Sequence, residues 1–245
     1  MIKYNNFEYF DTHCHLDLYT NYKSVVEESK KNKTLIVAMT NIPSVFKQDS
    51  ALFKYSDNVV TDLGLHPQLA KQYGGQVKLF EELLPETQFV GEIGLDDPKD
   101  NEQRKIFEHM LRAIARYKNK VISIHSRNSA EEVVSMMGPN YPGNIIMHWF
   151  SGSSKVLKEA IKNGYLLSVN PSMTLTKNGQ HIIQSLPLDR ILTETDGPFT
   201  KIDERTSVPT DVRNVTEFLA KIHNKTTEDI NRIIQANFSK CVIPK

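Results

Sequence analysis

The hexapeptide Asp11-Thr12-His13-Cys14-His15-Leu16 closes an apolar, aromatic run from Phe7 to Phe10. Two histidines one residue apart on an extended strand share a face. Side by side they form half of a metal site, while Cys14 faces the other way and packs under the helices. A His-x-His pair alone equally suits two polar residues at a strand end, so its partners decide. Those partners recur along the chain: His66 in Gly64-Leu65-His66-Pro67, Glu92 in Gly91-Glu92-Ile93-Gly94-Leu95-Asp96, and His125 in Ile124-His125-Ser126-Arg127. His148 follows in His148-Trp149-Phe150-Ser151-Gly152, then Glu194 and Asp196 in Glu194-Thr195-Asp196-Gly197-Pro198. Imidazoles and carboxylates buried at one site are costly without compensation, and a divalent cation supplies it. Six groups, His13, His15, Glu92, His125, His148 and Asp196, suffice for two ions if Glu92 bridges them. Two ions about 3.5–4 Å apart activate a water and stabilise both attacking and leaving oxygens. The mixed nitrogen and oxygen donors suit Zn²⁺ or Mn²⁺, with Mg²⁺ also admissible.

The elements that must position these groups are legible as strand-length apolar runs at steady spacing. They cover residues 9–13, 34–39, 59–64, 89–94, 121–125, 144–148, 165–169 and 190–194, several of them rich in β-branched residues. Between them lie segments of helical period. The clearest is 101–119, with Ile106, Met110, Leu111, Ile114 and Tyr117 at helical spacing. Others are 22–32, 43–55, 76–84, 129–137, 153–163 and 176–186, with 211–223 and 227–236 closing the chain. Eight strands alternating with helices predict a (β/α)₈ TIM barrel as one domain over residues 1–245, with a doubly wound open sheet as the runner-up. Five of the eight histidines fall at a strand's C-terminal end, where barrel enzymes carry their chemistry. His109, His181 and His223 fall in predicted helices and read as surface or structural groups.

At 245 residues, 24% charged and 39% apolar, the chain has the composition of an ordinary globular protein. A net charge of +1 announces no nucleic-acid binder, but a basic rim can sit on a neutral body. Two cysteines far apart make no disulfide framework. The N-terminus lacks the apolar stretch of a signal peptide, and no run approaches the ~20 residues of a membrane span. These features predict a cytoplasmic protein with no membrane attachment.

Taken in order, the six quoted motifs resemble the TatD family of metal-dependent DNases, within the amidohydrolase-like barrels. The resemblance implies that His13, His15, Glu92 and Asp196 hold one metal and that Glu92, His125 and His148 hold the other. It implies cleavage of DNA phosphodiester bonds, in a single strand or at a duplex end, often from a 3′ end. The chain departs from the family around the pocket. Asp97-Pro98 follows Gly-Leu-Asp where an aromatic is usual, Trp149 stands where a small residue is usual, and the loop 199–205 lacks the usual Pro-rich segment. The variant loops resemble the TatD-like subunit of the bacterial Qat antiphage system, which implies the other subunits of that complex as partners.

Asp196 is the candidate general base as well as a ligand, since a carboxylate touching a metal and its water can accept the proton. Glu194 shares its face and is the second catalytic candidate, either orienting the water or supporting a ligand from behind. His66 is placed to touch the scissile phosphate or protonate the leaving oxygen. Arg127 suits a non-bridging phosphate oxygen. Two-residue alternation turns Trp149 away from His148 and makes it a core anchor, which leaves Phe199 as the better stacking platform. Two other functions share these motifs: an ester or amide hydrolase such as an aminoacyl-tRNA deacylase, and a structural subunit of a larger assembly.

Overall fold

A computed structural model describes residues 3–242. Eight parallel strands run in sequence order: β1 Tyr9–Cys14, β2 Thr34–Ala38, β3 Val59–Thr61, β4 Phe89–Gly94, β5 Val121–His125, β6 Asn144–His148, β7 Leu166–Val169 and β8 Ile191–Thr193. They form two bonded arcs, β1 to β3 and β4 to β8. Backbone bonds join the arcs on both sides. The Leu63 N–H donates to Phe89 O at 3.2 Å and the Gly91 N–H to Leu63 O at 2.9 Å. On the other side, the Asp196 N–H donates to His13 O at 2.9 Å and the His15 N–H to Gly197 O at 2.8 Å. The result is the barrel that the alternation of apolar runs predicts. Strands β4, β5 and β6 have the predicted limits, while β3 and β8 are shorter than their apolar runs.

Helices follow the strands where the periodicity places them, because each carries one apolar stripe that needs a sheet to cover it. Asn101–Ile114 starts at Asp100, whose carboxylate accepts the N–H groups of Glu102 and Gln103, and buries Phe107, Met110, Leu111 and Ile114. Thr227–Val242 runs six residues past its predicted end at Ala236. The reason is tertiary. Phe238 sits between Phe10 and Phe89, at 5.0 and 6.3 Å between centroids, and closes the floor of the barrel at the starts of β1 and β4. Burying such a ring contributes roughly 1.5–3 kcal/mol. The Asn237 amide then donates to the carbonyls of Leu188 and Ile191, anchoring the helix beside β8.

The floor is therefore sealed with apolar rings and the mouth is left for polar groups. Register shifts in β1 between Asp11 and Cys14, and in β4 between Val90 and Ile93, fall at the residues carrying His13 and Glu92. Such irregularities re-aim side chains next to sites. Gly64 allows the β3 end to press against β4: a Cβ there would stand 2.4 Å from the Glu92 backbone nitrogen. Both cysteines are buried, and Cys14 packs with Leu16, Val25, Val26 and Phe53 as expected. Among the described residues no helix is long and apolar enough to cross a membrane.

Candidate metal centre

Glu92 rises from β4 into the middle of the barrel mouth, and its two carboxylate oxygens face different partners. Oε1 meets His125 Nδ1 in a short contact and His148 Nε2 at 2.9 Å. Oε2 stands 3.5 Å from the Nε2 of both His13 and His15 and 3.4 Å from His66 Nε2. Asp196 completes the second set: its Oδ1 lies 3.7 Å from His13 Nε2 and 3.4 Å from His15 Nε2. Three groups of candidate ligand atoms lie within 4.8 Å of one another: His13 with His15 and Asp196, His13 with Glu92 and His148, and His66 with Glu92 and His125. All six side chains read from the sequence as ligands thus converge on one opening.

The donor set fits a divalent cation. Donor atoms about 2.1 Å from a shared ion stand roughly 3.0–3.4 Å apart, close to the separations around Oε2. Among the described residues His13 Nε2 is buried without a hydrogen-bond partner, and it stands 3.5 and 3.7 Å from two carboxylates. The charge balance gives a second sign. Burial pushes Glu92 up, but the surrounding imidazoles, His66 and His148 foremost, hold it well below the usual carboxylate range. Burial also raises Asp196, and its hydrogen bond with His15 and the charges of His148 and His13 bring it below the ordinary value. His15 is pulled down by burial yet lifted to about 10 by Asp196 and Glu92. His148, likewise opposed by burial, is lifted well above its ordinary value by Glu92 and Glu194. Protons on imidazoles are supplying positive charge that these buried acids require, and a cation would replace them.

Several ring orientations are fixed from behind. His13 Nδ1 pairs with Ser123 Oγ at 2.7 Å, which leaves Nε2 for the site. His148 Nδ1 stands 3.5 Å from Glu194 Oε2. Glu194 is wholly buried and takes hydrogen bonds from Ser168, from the Asn170 amide at 3.1 Å and from the Trp149 N–H at 3.0 Å. It has no surface in the cavity, so of its two roles read from the sequence, the geometry fits support of His148 from behind. Asp11, also fully buried, accepts the Thr195 N–H at 2.8 Å and the Thr195 hydroxyl. It clips the His13 strand to the segment carrying Glu194 and Asp196. His125 Nε2 meets Asp96 Oδ1 at 2.8 Å, so both of its nitrogens face a carboxylate. The Asp96 loop is held in turn by Gln103, whose side-chain oxygen accepts the N–H groups of Asp96 and Asp97.

His66 differs from the other imidazoles. Its Nδ1 accepts the Gln68 N–H at 3.2 Å, so the neutral ring carries its proton on Nε2, toward Glu92. Burial lowers this imidazole to about 4, which keeps it neutral at pH 7. A ring protonated at Nε2 offers no lone pair there for a cation and suits donation to substrate, although the ring groups with Glu92 and His125 by distance. The three helical histidines stay outside the site: His109 pairs with Glu81 and His181 with Ser154.

The centre opens into a cavity of about 700 Å³, lined among others by His66, Arg127, Ser151 and Phe199. Arg127 is exposed at the rim, with no ion pair among the described residues. Phe199 is 62% exposed and makes a T-shaped contact with the His15 ring, with centroids 4.9 Å apart. It rides on a loop fixed by the Phe199 N–H to Asp196 O at 3.0 Å and by a two-bond Arg205–Asp211 pair.

Trp149 corrects the sequence reading. It does not anchor the core: it is 37% exposed and lines the cavity. Its φ of +37° breaks the alternation, and Phe150, 1% exposed, takes the core place instead. A bulky residue in that region costs on the order of 1–2 kcal/mol. Alternation did reach other residues that the sequence reading left without a role. Asp11 precedes His13 by two residues and Ser123 precedes His125 by two, each on the inward face.

Known proteins are similar to this chain along nearly its whole length. A family model described as TatD related DNase matches residues 10–242. The chain is 30% identical to the uncharacterized metal-dependent hydrolase YabD of Bacillus subtilis, over 93% of this chain and 96% of YabD. It is 24% identical to human deoxyribonuclease TATDN3, over 96% of this chain and 94% of that protein. The crystal structure of YJJV, a TatD homologue from Escherichia coli, superposes with a TM-score of 0.83 at 23% identity, covering 97% of this chain and 99% of that one.

Proposed function

The chain belongs to the TatD-related DNase family of metal-dependent hydrolases, and from that premise we propose that it hydrolyses DNA phosphodiester bonds at a two-metal centre. The observation that carries the proposal is the division of Glu92, with Oε1 toward His125 and His148 and Oε2 toward His13 and His15. His13, His15, Glu92 and Asp196 would hold one ion, and Glu92, His125 and His148 the other. The DNA substrate is supported by the family description and by the deoxyribonuclease among its relatives. When bound, divalent ions of the Zn²⁺, Mn²⁺ or Mg²⁺ kind supply Lewis-acid polarisation of the phosphate and a more acidic water.

The residues divide the remaining work. Asp196, ionised and facing the cavity, accepts the proton of the attacking water. His66, neutral and with its N–H on Nε2, donates a hydrogen bond to the phosphate or to the leaving oxygen; it does not protonate the leaving oxygen, because a neutral imidazole would have to become an imidazolate. Arg127 reaches a non-bridging oxygen from the rim, and Phe199 offers a ring face beside His15. Glu194 keeps His148 oriented.

The experiment is incubation of the purified protein with labelled single-stranded and duplex DNA across divalent ions, beside Asp196→Asn and beside an aminoacyl ester. Metal-dependent cleavage of DNA by the native chain and none by the variant is expected. Cleavage of the ester with no cleavage of either DNA overturns the substrate, and unchanged cleavage by the variant removes Asp196 from its role. A place in a Qat-type antiphage complex is the finer form of the proposal and rests on the loop 199–205. It is tested by plaque counts with the native operon against one carrying Asp196→Asn.

A further inference from the structure

Trp149 is the chain's one tryptophan, and it stands where a strand would not send it. Continued alternation after His148 would turn residue 149 outward beneath the helices. The backbone instead enters the left-handed region at Trp149, with φ +37°, and the turn is held by the N–H donated to Glu194 Oε1 at 3.0 Å. The indole therefore lies in the cavity that His148 and Asp196 also line. Packing does not account for it, because Phe150 already fills the core behind β6 and the indole is 37% exposed. The turn does not account for it either, since a left-handed position favours glycine or asparagine over a bulky ring. Strain of this kind persists where the surroundings enforce it and is concentrated at ligand-binding sites. What the strain delivers here is a partly exposed indole, one residue from the metal-site imidazole of His148, in an open cavity also lined by Arg127, which has no ion pair among the described residues.

We propose that Trp149 is a specificity-determining residue whose indole stacks on an unpaired base of the strand whose phosphate lies over Glu92 and Asp196. The inference rests on the phosphodiesterase reading and adds to it the part of the substrate that the metal centre does not touch. A nucleotide presents a flat π-face at a fixed reach from its phosphate, and every base has one, so the subsite tolerates any sequence. A base inside a duplex has both faces covered by its neighbours and cannot occupy it. The subsite therefore selects frayed or unpaired strands, and the stacking is worth roughly tenfold to a hundredfold in binding.

The sole tryptophan makes the subsite its own reporter. In the full chain carrying Asp196→Asn, a substitution that keeps the strand intact, and with magnesium present, a short oligothymidylate is expected to quench the emission. An abasic oligomer of the same length leaves it unchanged. An equal response to both oligomers, or to neither, overturns the proposal. In the otherwise native chain, Trp149→Leu is expected to lower the ratio of kcat/KM for the thymidylate oligomer to that for the abasic oligomer about tenfold, through KM. Trp149→Phe, which keeps a ring, recovers most of that ratio. A ratio equal to the native one in Trp149→Leu overturns the proposal. A native chain that cleaves neither oligomer defeats the phosphodiesterase reading instead, and the emission titration then decides the stacking by itself.

Discussion

The two sides of the Glu92 carboxylate are built differently. On the Oε2 side, His13 and His15 are sealed, with side chains 0% and 2% exposed, and a second acid, Asp196, faces them directly. On the Oε1 side, His125 is 11% exposed and the supporting acids stand behind the rings, Asp96 at His125 and Glu194 at His148. One side holds its negative charge where an ion would sit, and the other passes it through imidazoles. A sealed site with a direct carboxylate binds an ion more tightly and exchanges it more slowly. A more open site backed by acids favours turnover of ligands. The contrast teaches that one bridging carboxylate can face two differently built halves of a site, so that the two proposed ions would differ in how firmly each is held.

The comparison breaks most severely at Glu92 itself. Glu92→Gln removes the shared charge, so metal content measured by mass spectrometry is expected to fall from two ions to fewer than one. Activity should fall on the order of 10³-fold, the equivalent of several kcal/mol of electrostatic stabilisation. Retention of two ions would refute the bridge. The next effect separates the sides. His125→Ala should empty one site and leave the other filled, and brief chelation of the native chain should give the same half-loaded state. Equal loss of both ions in either experiment would erase the distinction. Smaller again is Glu194→Gln, which keeps the size of the side chain but not its charge behind His148. A drop of about 10–100-fold in affinity for one ion is expected, as for other supporting groups, with the fold intact by circular dichroism.

The smallest effect concerns stability. Asp49 is raised to about 7 by burial and then by the charge of Asp17. Its folded value lies above its unfolded one, so protonation favours the fold at low pH and that contribution is lost as pH rises from about 4 through about 7. Asp49→Asn should therefore raise the melting temperature more at pH 8 than at pH 5, by no more than a few degrees in a chain of this size. An equal shift at both pH values would place the charge in solvent.

Inside the ladder, two-residue alternation was a sound guide. Cys14 packs away from the mouth while His13 and His15 meet near it, with ring centroids 5.3 Å apart. Period also located the helices, because a helix with one apolar stripe advertises it in its sequence. Alternation failed one residue past the ladder, at Trp149, where no neighbouring strand holds the backbone extended. Asp96 stands in the quoted 91–96 motif but had no role there for a related reason: it lies in the loop after β4, and only the fold of that loop against Gln103 brings it to His125. The extension of the last helix to Val242 depended on the barrel floor that Phe238 plugs, which no local window contains.

The sequence by itself determined the eight-strand alternation and the collection of histidines and acids at strand ends, because backbone hydrogen-bonding period and apolar patterning are local properties written residue by residue. Only the tertiary structure decided which oxygen of Glu92 meets which imidazole, which nitrogen of His66 carries its proton, and that the single tryptophan turns into the mouth. Those outcomes depend on closure between β8 and β1 and on contacts such as Trp149 with Glu194, 45 residues apart in the chain, and they exist only once distant segments are brought together.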